Sequence, residues 1–160
     1  MSIKLKKVTL RYSEREDRIG MFAELDEGDG MVIWLTLRIC RLLVNSLCKR
    51  VEQEVSPAQR DLELPFRQQK AEWQLRPAKP VVVEHAGAQH TAVPDSIKVS
   101  YSAQGVSLVF FAGNLHVAML ALTQTELRQW LSMLYRLFRK AKWPMDGWPA
   151  WISQAGDCRN

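Results

Sequence analysis

Few residues in this chain have a chemistry that reaches beyond packing. His85 and His90 flank one stretch and His116 stands in a strand-like one, but no Cys or carboxylate completes a zinc spacing around them. Cys40 and Cys48 fall on the apolar stripe of a helical pattern, where a thiol behaves as a small hydrophobe. With Cys158 they are too few and too oddly placed for a disulfide framework. The run Asp26-Glu27-Gly28-Asp29-Gly30 is dense in carboxylates, yet it lacks the spacing and distal Glu of an EF-hand loop and reads as a hairpin turn. There is no glycine-rich phosphate loop, Gly-x-Ser-x-Gly elbow or dinucleotide fingerprint. The expectation is a protein that is not an enzyme, with no catalytic residue, cofactor or metal.

The elements that would position any other site are clearer. Val8, Leu10 and Tyr12 alternate with Thr9 and Arg11, and Ile97, Val99 and Tyr101 alternate with Lys98 and Ser100; this period of two marks half-buried strands. Beyond each first turn the chain echoes itself at an offset of 87 residues. Ile19, Met21 and Ala23 then match Val106, Leu108 and Phe110, and residues 31–35 match 118–122. Thr36 and Thr123 follow as helix N-caps, the latter with Glu126 at capping-box spacing. Cys40, Leu43, Val44, Leu47, Cys48 and Val51 align with Leu127, Trp130, Leu131, Leu134, Tyr135 and Phe138, two wide apolar stripes that must face a core. The echo rests on pattern and spacing, with few identities.

The expected fold class is α+β: one domain over 1–160 made of two tandem antiparallel β-meander plus α-helix repeats. The first, β-β-β-α, covers 3–52, with a bulge or break at Lys6-Lys7. A helical or irregular linker covers 53–80, with short helices starting at Ser56-Pro57 and Leu64-Pro65. Phe66 and Trp73 would anchor the second of these on the body. The second repeat, β-β-β-β-α, covers 81–142, its extra strand at Val81–Val83 and a loop over 86–93. Residues 143–160 form a tail with Trp143-Pro144 and Trp148-Pro149, where Pro stops the preceding helix. This tail is expected to be extended or turning chain, either latched on the body or used as a docking arm.

Charge narrows the partners. The chain has 22 Lys+Arg and 17 Asp+Glu, net +5, and nearly all the excess lies in residues 97–160, with seven basic and three acidic side chains. No stretch approaches the ~18 apolar residues of a membrane helix, no secretory leader opens the chain, and a soluble protein in a reducing cytoplasm is expected, with no membrane partner.

Both faces of the sheets are apolar at their centres: Phe22 and Trp34 oppose Met21 and Ile33, and Val109 and Phe111 oppose Leu108 and Phe110. Such a face is either internal core between the repeats or an open platform. Two functional expectations follow. The first is a non-catalytic protein-interaction or assembly module, homodimeric, binding through Phe22, Trp34, Val109, Phe111, Trp143, Trp148 and Trp151. The alternative is a single-stranded DNA or RNA binder using Arg11, Tyr12, Lys98, Tyr101, Arg128, Arg136, Arg139 and Lys140. In order of elements over residues 3–142 the chain resembles the PUR-repeat and Whirly-type folds, which are built from two β-β-β-β-α repeats. That resemblance implies binding of single-stranded nucleic acid on the sheet surface and assigns no residue here.

Overall fold

The computed structural model describes residues 3–25, 29–83 and 91–157; His85, His90, Cys158 and most of the acidic run after Leu25 lie outside them. The chain is α+β; its described residues form a four-stranded sheet, a three-stranded sheet and four helices. Strands β1 (Leu5–Ser13), β2 (Arg18–Leu25) and β3 (Gly30–Leu35) form an antiparallel meander that leads into helix α1 (Leu37–Gln53). After a 3₁₀ turn at Pro57–Gln59 come α2 (Arg60–Trp73) and the two-residue strand β4 (Thr91–Ala92). A second meander, β5 (Ser96–Ser102), β6 (Gly105–Ala112) and β7 (Leu115–Thr123), leads into α3 (Gln124–Ala141), and α4 (Ala150–Asp157) closes the chain.

Alternation sets the register. Leu10, Met21 and Ile33 lie side by side across the first meander, as Val99, Leu108 and Leu120 do across the second. Both rows point to one core shared with the apolar stripes of α1 and α3. The helices start where the threonines place them. Thr36 Oγ1 accepts from the Ile39 N–H at 3.4 Å. Thr123 and Glu126 make the reciprocal capping box, at 3.1 and 3.0 Å.

The two units are joined crosswise. The N–H of Met119 in β7 donates to the Ile3 carbonyl just ahead of β1, giving a parallel bridge Lys4↔Met119. In the same way β4, just ahead of β5, pairs in parallel with β3 at Val32↔Thr91. Val32 and Met119 are the same position at the offset of 87. Each helix, too, packs on the first strand of the other unit, α1 on β5 and α3 on β1. The expected bulge is present, between Leu5 and Lys7.

Three expectations need correction. The extra strand is Thr91–Ala92, not Val81–Val83. The valine segment runs over the outer face of the first sheet, where the Val81 N–H donates to Thr9 Oγ1 (2.9 Å) and Val83 packs where a side chain at Gly30 would stand. Leu64-Pro65 does not start a helix; Pro65 lies inside α2, because the turn at Pro57–Gln59 has already begun it. Phe66 and Trp73 do not anchor α2, which instead buries Leu64, Gln68, Ala71 and Glu72.

Gly105 opens β6 where a Cβ would stand 2.0 Å from the Leu122 carbonyl oxygen, whereas a Cβ at Gly113, φ 61°, meets nothing within 4 Å. Urea unfolding should therefore show Gly105→Ala costing about 3 kcal/mol or more, against about 1 kcal/mol for Gly113→Ala, which carries only the left-handed backbone penalty. Equal losses would show that the Leu122 contact does not govern this turn.

Candidate binding groove

The groove forms because β1 leaves β7. The strands touch at Lys4↔Met119, and past the Lys6 bulge β1 is an edge strand with no partner on that side among the described residues. An edge strand carries unpaired backbone N–H and C=O groups. The resulting cleft, about 660 Å³, has β1 (Lys6–Leu10) and β7 (Leu120–Leu122) as walls and Trp130 and Met133 of α3 as floor. The proline-punctuated segment Arg76–Val81 passes over it. Beyond Leu10 a second cleft, about 590 Å³, continues along β1 to Ser13, past Leu137 and Lys140 of α3 and the Phe22 and Trp34 rings.

The rim is cationic: Lys7, Arg76 and Lys79 at the lower cleft and Arg11 and Lys140 at the upper are all exposed. The two carboxylates of the groove are used within the chain. Glu126 caps α3, and Glu72 accepts from the Ser132 hydroxyl. A positive rim over an apolar floor and an open strand edge suits an anionic, extended ligand.

The candidate residues from the sequence divide sharply. Phe22 and Trp34 do share a face, but they pack edge to face (6.0 Å) over Gly20, with the Arg11 guanidinium 4.9 Å above the Phe22 ring. Phe111 packs against His116 at 4.4 Å, and Val109 stands half-buried opposite Lys98, which is exposed. Arg128 is not available to a phosphate: it is buried and bonded to Glu54 at 3.1 Å. Arg136 and Arg139 are exposed on α3, and only Lys140 of that group reaches the groove.

The tail is a latch in cis. A left-handed Lys142 ends α3, and the Trp143 N–H returns to the Phe138 carbonyl at 3.0 Å, a Schellman closure that turns the chain back. Trp143 then packs edge-on against Phe138 and Tyr12, and Trp148 against Phe138 and Tyr135. Trp151 is buried, its Nε1 donating to Glu52 at 3.1 Å. Pro149 stops nothing further; it precedes α4, so the tail is partly helical. None of the three rings is free to act as a docking arm.

This latch also decides which groove stays open. At the β5 edge, Tyr101 reaches across to α1: its hydroxyl donates to the Ser46 carbonyl (3.1 Å), and Arg50 covers its ring at 5.1 Å. Ser46 and Arg50 correspond at the offset of 87 to Met133 and Leu137. Tyr12, the counterpart of Tyr101, is instead drawn to Asp17 (2.6 Å) and to the Trp143 ring. Sequence reading missed Met133 and Leu137, whose apolar character in place of Ser46 and Arg50 was visible in the repeat alignment.

Burial pushes both the Cys40 and Cys48 thiols up to about 12, so neither is a thiolate at neutral pH. No helix among the described residues is long and apolar enough to cross a membrane. Comparison with protein-family models, with curated proteins and with solved structures returns no match, so the groove is read from its own geometry.

Asp17 accepts from Tyr12 and from Trp143 Nε1 (3.1 Å); these two bonds, Tyr12's first, hold its carboxyl below the ordinary 3.8. Tyr12 is pushed up to about 12, chiefly by the same bond. A depressed acid stabilises above 3.8 and loses that contribution as pH falls through its folded value; a raised phenol contributes fully below 10 and loses it as pH rises towards 12. In ring-labelled NMR, the Tyr12 titration should fall from about 12 towards 10 in Asp17→Ala, which removes both the acceptor and the charge. An ordinary Tyr12 midpoint in the unsubstituted protein would remove this tie.

Proposed function

We propose that this chain is a non-catalytic binding module that takes up an extended, acidic segment of a partner protein along the open edge of β1. The observation that carries the reading is the groove itself: an edge strand beyond the Lys6 bulge, lying over Met133 and Leu137 and rimmed by five exposed cations, Lys7, Arg11, Arg76, Lys79 and Lys140. Strand addition draws affinity from main-chain hydrogen bonds and selectivity from the side chains flanking the slot. Here the flanks select by charge, which governs encounter and discrimination. Assembly through the tryptophan tail gives way to this route, because Trp143, Trp148 and Trp151 are engaged within the chain.

Single-stranded nucleic acid is the second reading. One observation favours it: Arg11 and Lys140 flank the Phe22 and Trp34 rings at the upper cleft. Against it, Tyr12 and Arg128 are committed elsewhere, and the Phe22 face is already covered by Arg11.

Fluorescence anisotropy with a labelled acidic peptide of alternating apolar residues separates the two. Binding should weaken with salt and fall about tenfold or more in the Lys7→Glu/Lys140→Glu variant, a loss of about 1.4 kcal/mol. It should also be lost when alternate peptide nitrogens are methylated, since that removes the donors a strand edge uses. Equal binding of the methylated peptide, or binding of a single-stranded oligonucleotide in place of either peptide, would overturn the proposal.

A further inference from the structure

Helix α2 presents an apolar face that the described residues leave uncovered. Leu62, Phe66 and Trp73 are 80%, 63% and 67% exposed. At i, i+4 and i+11 they fall in one narrow sector of the helix, at about 100° per residue. The opposite sector, with Leu64, Gln68 and Ala71, is buried where α2 meets α3 and α4. Single exposed apolar residues are ordinary, but three large ones in one sector of a 14-residue helix, with only Gln69 between Phe66 and Trp73, mark an interaction surface.

The charges beside the stripe indicate what covers it. Glu63 and Lys70 are seven residues apart and therefore share one flank, the acidic residue in the first turn and the basic one in the last. Two such helices laid antiparallel, with their midpoint near Phe66 and Arg67, place Glu63 of each copy against Lys70 of the other, twice. A surface that satisfies its own charges when rotated by a half-turn is what an isologous two-fold contact needs. Glu63 is now bonded to Arg67 at 2.9 Å, an exposed pair one turn on that constrains it weakly.

We infer that Leu62, Phe66 and Trp73 form a self-complementary surface through which two copies of this chain pair, α2 against α2 and antiparallel. Phe66 supplies the centre of the contact and Trp73 its two ends, beside the partner's Leu62, as Trp and large apolar side chains do at interface hot spots, and the Glu63–Lys70 pairs fix its direction. A helix of 14 residues is about 21 Å long, so the contact is at the small end of protein interfaces and the dimer is a reversible one. The stripe is separate from the β1 groove, so either proposal can fail without the other.

Sedimentation velocity on the full chain tests this over a concentration series reaching about 100 µM, where a micromolar dimer is populated. The unsubstituted protein should shift from monomer to dimer. Phe66→Glu and Trp73→Glu should each raise the dissociation constant about tenfold or more, with an unchanged circular dichroism spectrum. Glu63→Lys and Lys70→Glu should each weaken the dimer, and the two together should restore it, which a merely structural role would not do. A monomer throughout, or a double swap no better than the single ones, would overturn the inference. So would binding of phosphatidylserine vesicles that is lost in Phe66→Glu without any dimer, because the stripe would then face a membrane.

Discussion

A three-stranded meander with one helix cannot cover its own inner face, and the architecture follows from how this chain meets that constraint. The helix of each unit reaches the other: α1 packs on β5, and α3 on β1 as well as on β6 and β7 of its own unit. Each unit also sends its lead-in residues to pair in parallel with the other's third strand, at Met119 and at Val32. A single core then draws on both meanders and both helices, with Ile19, Ile33, Leu108 and Phe110 fully buried together. Neither half has an independent interior, so the units are expected to unfold as one body.

Crossed assembly makes two seams of the same kind, one between β1 and β7 and one between β3 and β5. They end differently because a few side chains differ. At the second seam β4 extends the pairing, Arg38 reaches the Asp95 carbonyl at 2.6 Å, and Tyr101 closes onto Ser46 and Arg50. At the first, a bulge turns β1 away after one bridge, and the corresponding helix positions carry Met133 and Leu137. The tail completes the difference by holding Tyr12 against Trp143 and Asp17. A feature at the far end of the chain thus keeps open a groove built from the first strand.

The parts legible in the sequence are those written in local periodicity. Strand alternation, the two apolar stripes, the caps at Thr36 and Thr123 and the bulge at Lys6-Lys7 all depend on residues close in the chain, and each lies where its pattern placed it. What escaped depends on long-range geometry. Arg128 belongs to the same helix as Arg136 and Arg139, and only the arrival of Glu54 from 74 residues away separates a buried ion pair from solvated cations. Val81–Val83 has the composition of a strand, but it lies across the outer face of the first sheet, on Thr9 and Gly30, and joins no edge. The groove escaped because it is a space between strands, and no local pattern encodes a space.

The orientation of α2 shows how polar contacts can select one face of a helix over another. Leu62 and Phe66 alone would contribute about 3–6 kcal/mol if buried, more than Leu64 and Ala71 offer from the other side. The helix nevertheless turns the smaller face inward, because that face carries a polar set matched to α3. Gln68 Nε2 donates to the Arg128 carbonyl and to Ser132 Oγ, both at 2.6 Å, and Gln129 Nε2 donates to the Ala71 carbonyl at 2.9 Å. Each bond nets only about 1 kcal/mol, but rolling α2 would leave these buried groups on α3 unpaired at about 1–3 kcal/mol apiece. The penalty for breaking the set, rather than the gain from making it, holds α2 in place. The apolar burial forgone on its outer face is then left for another surface to recover.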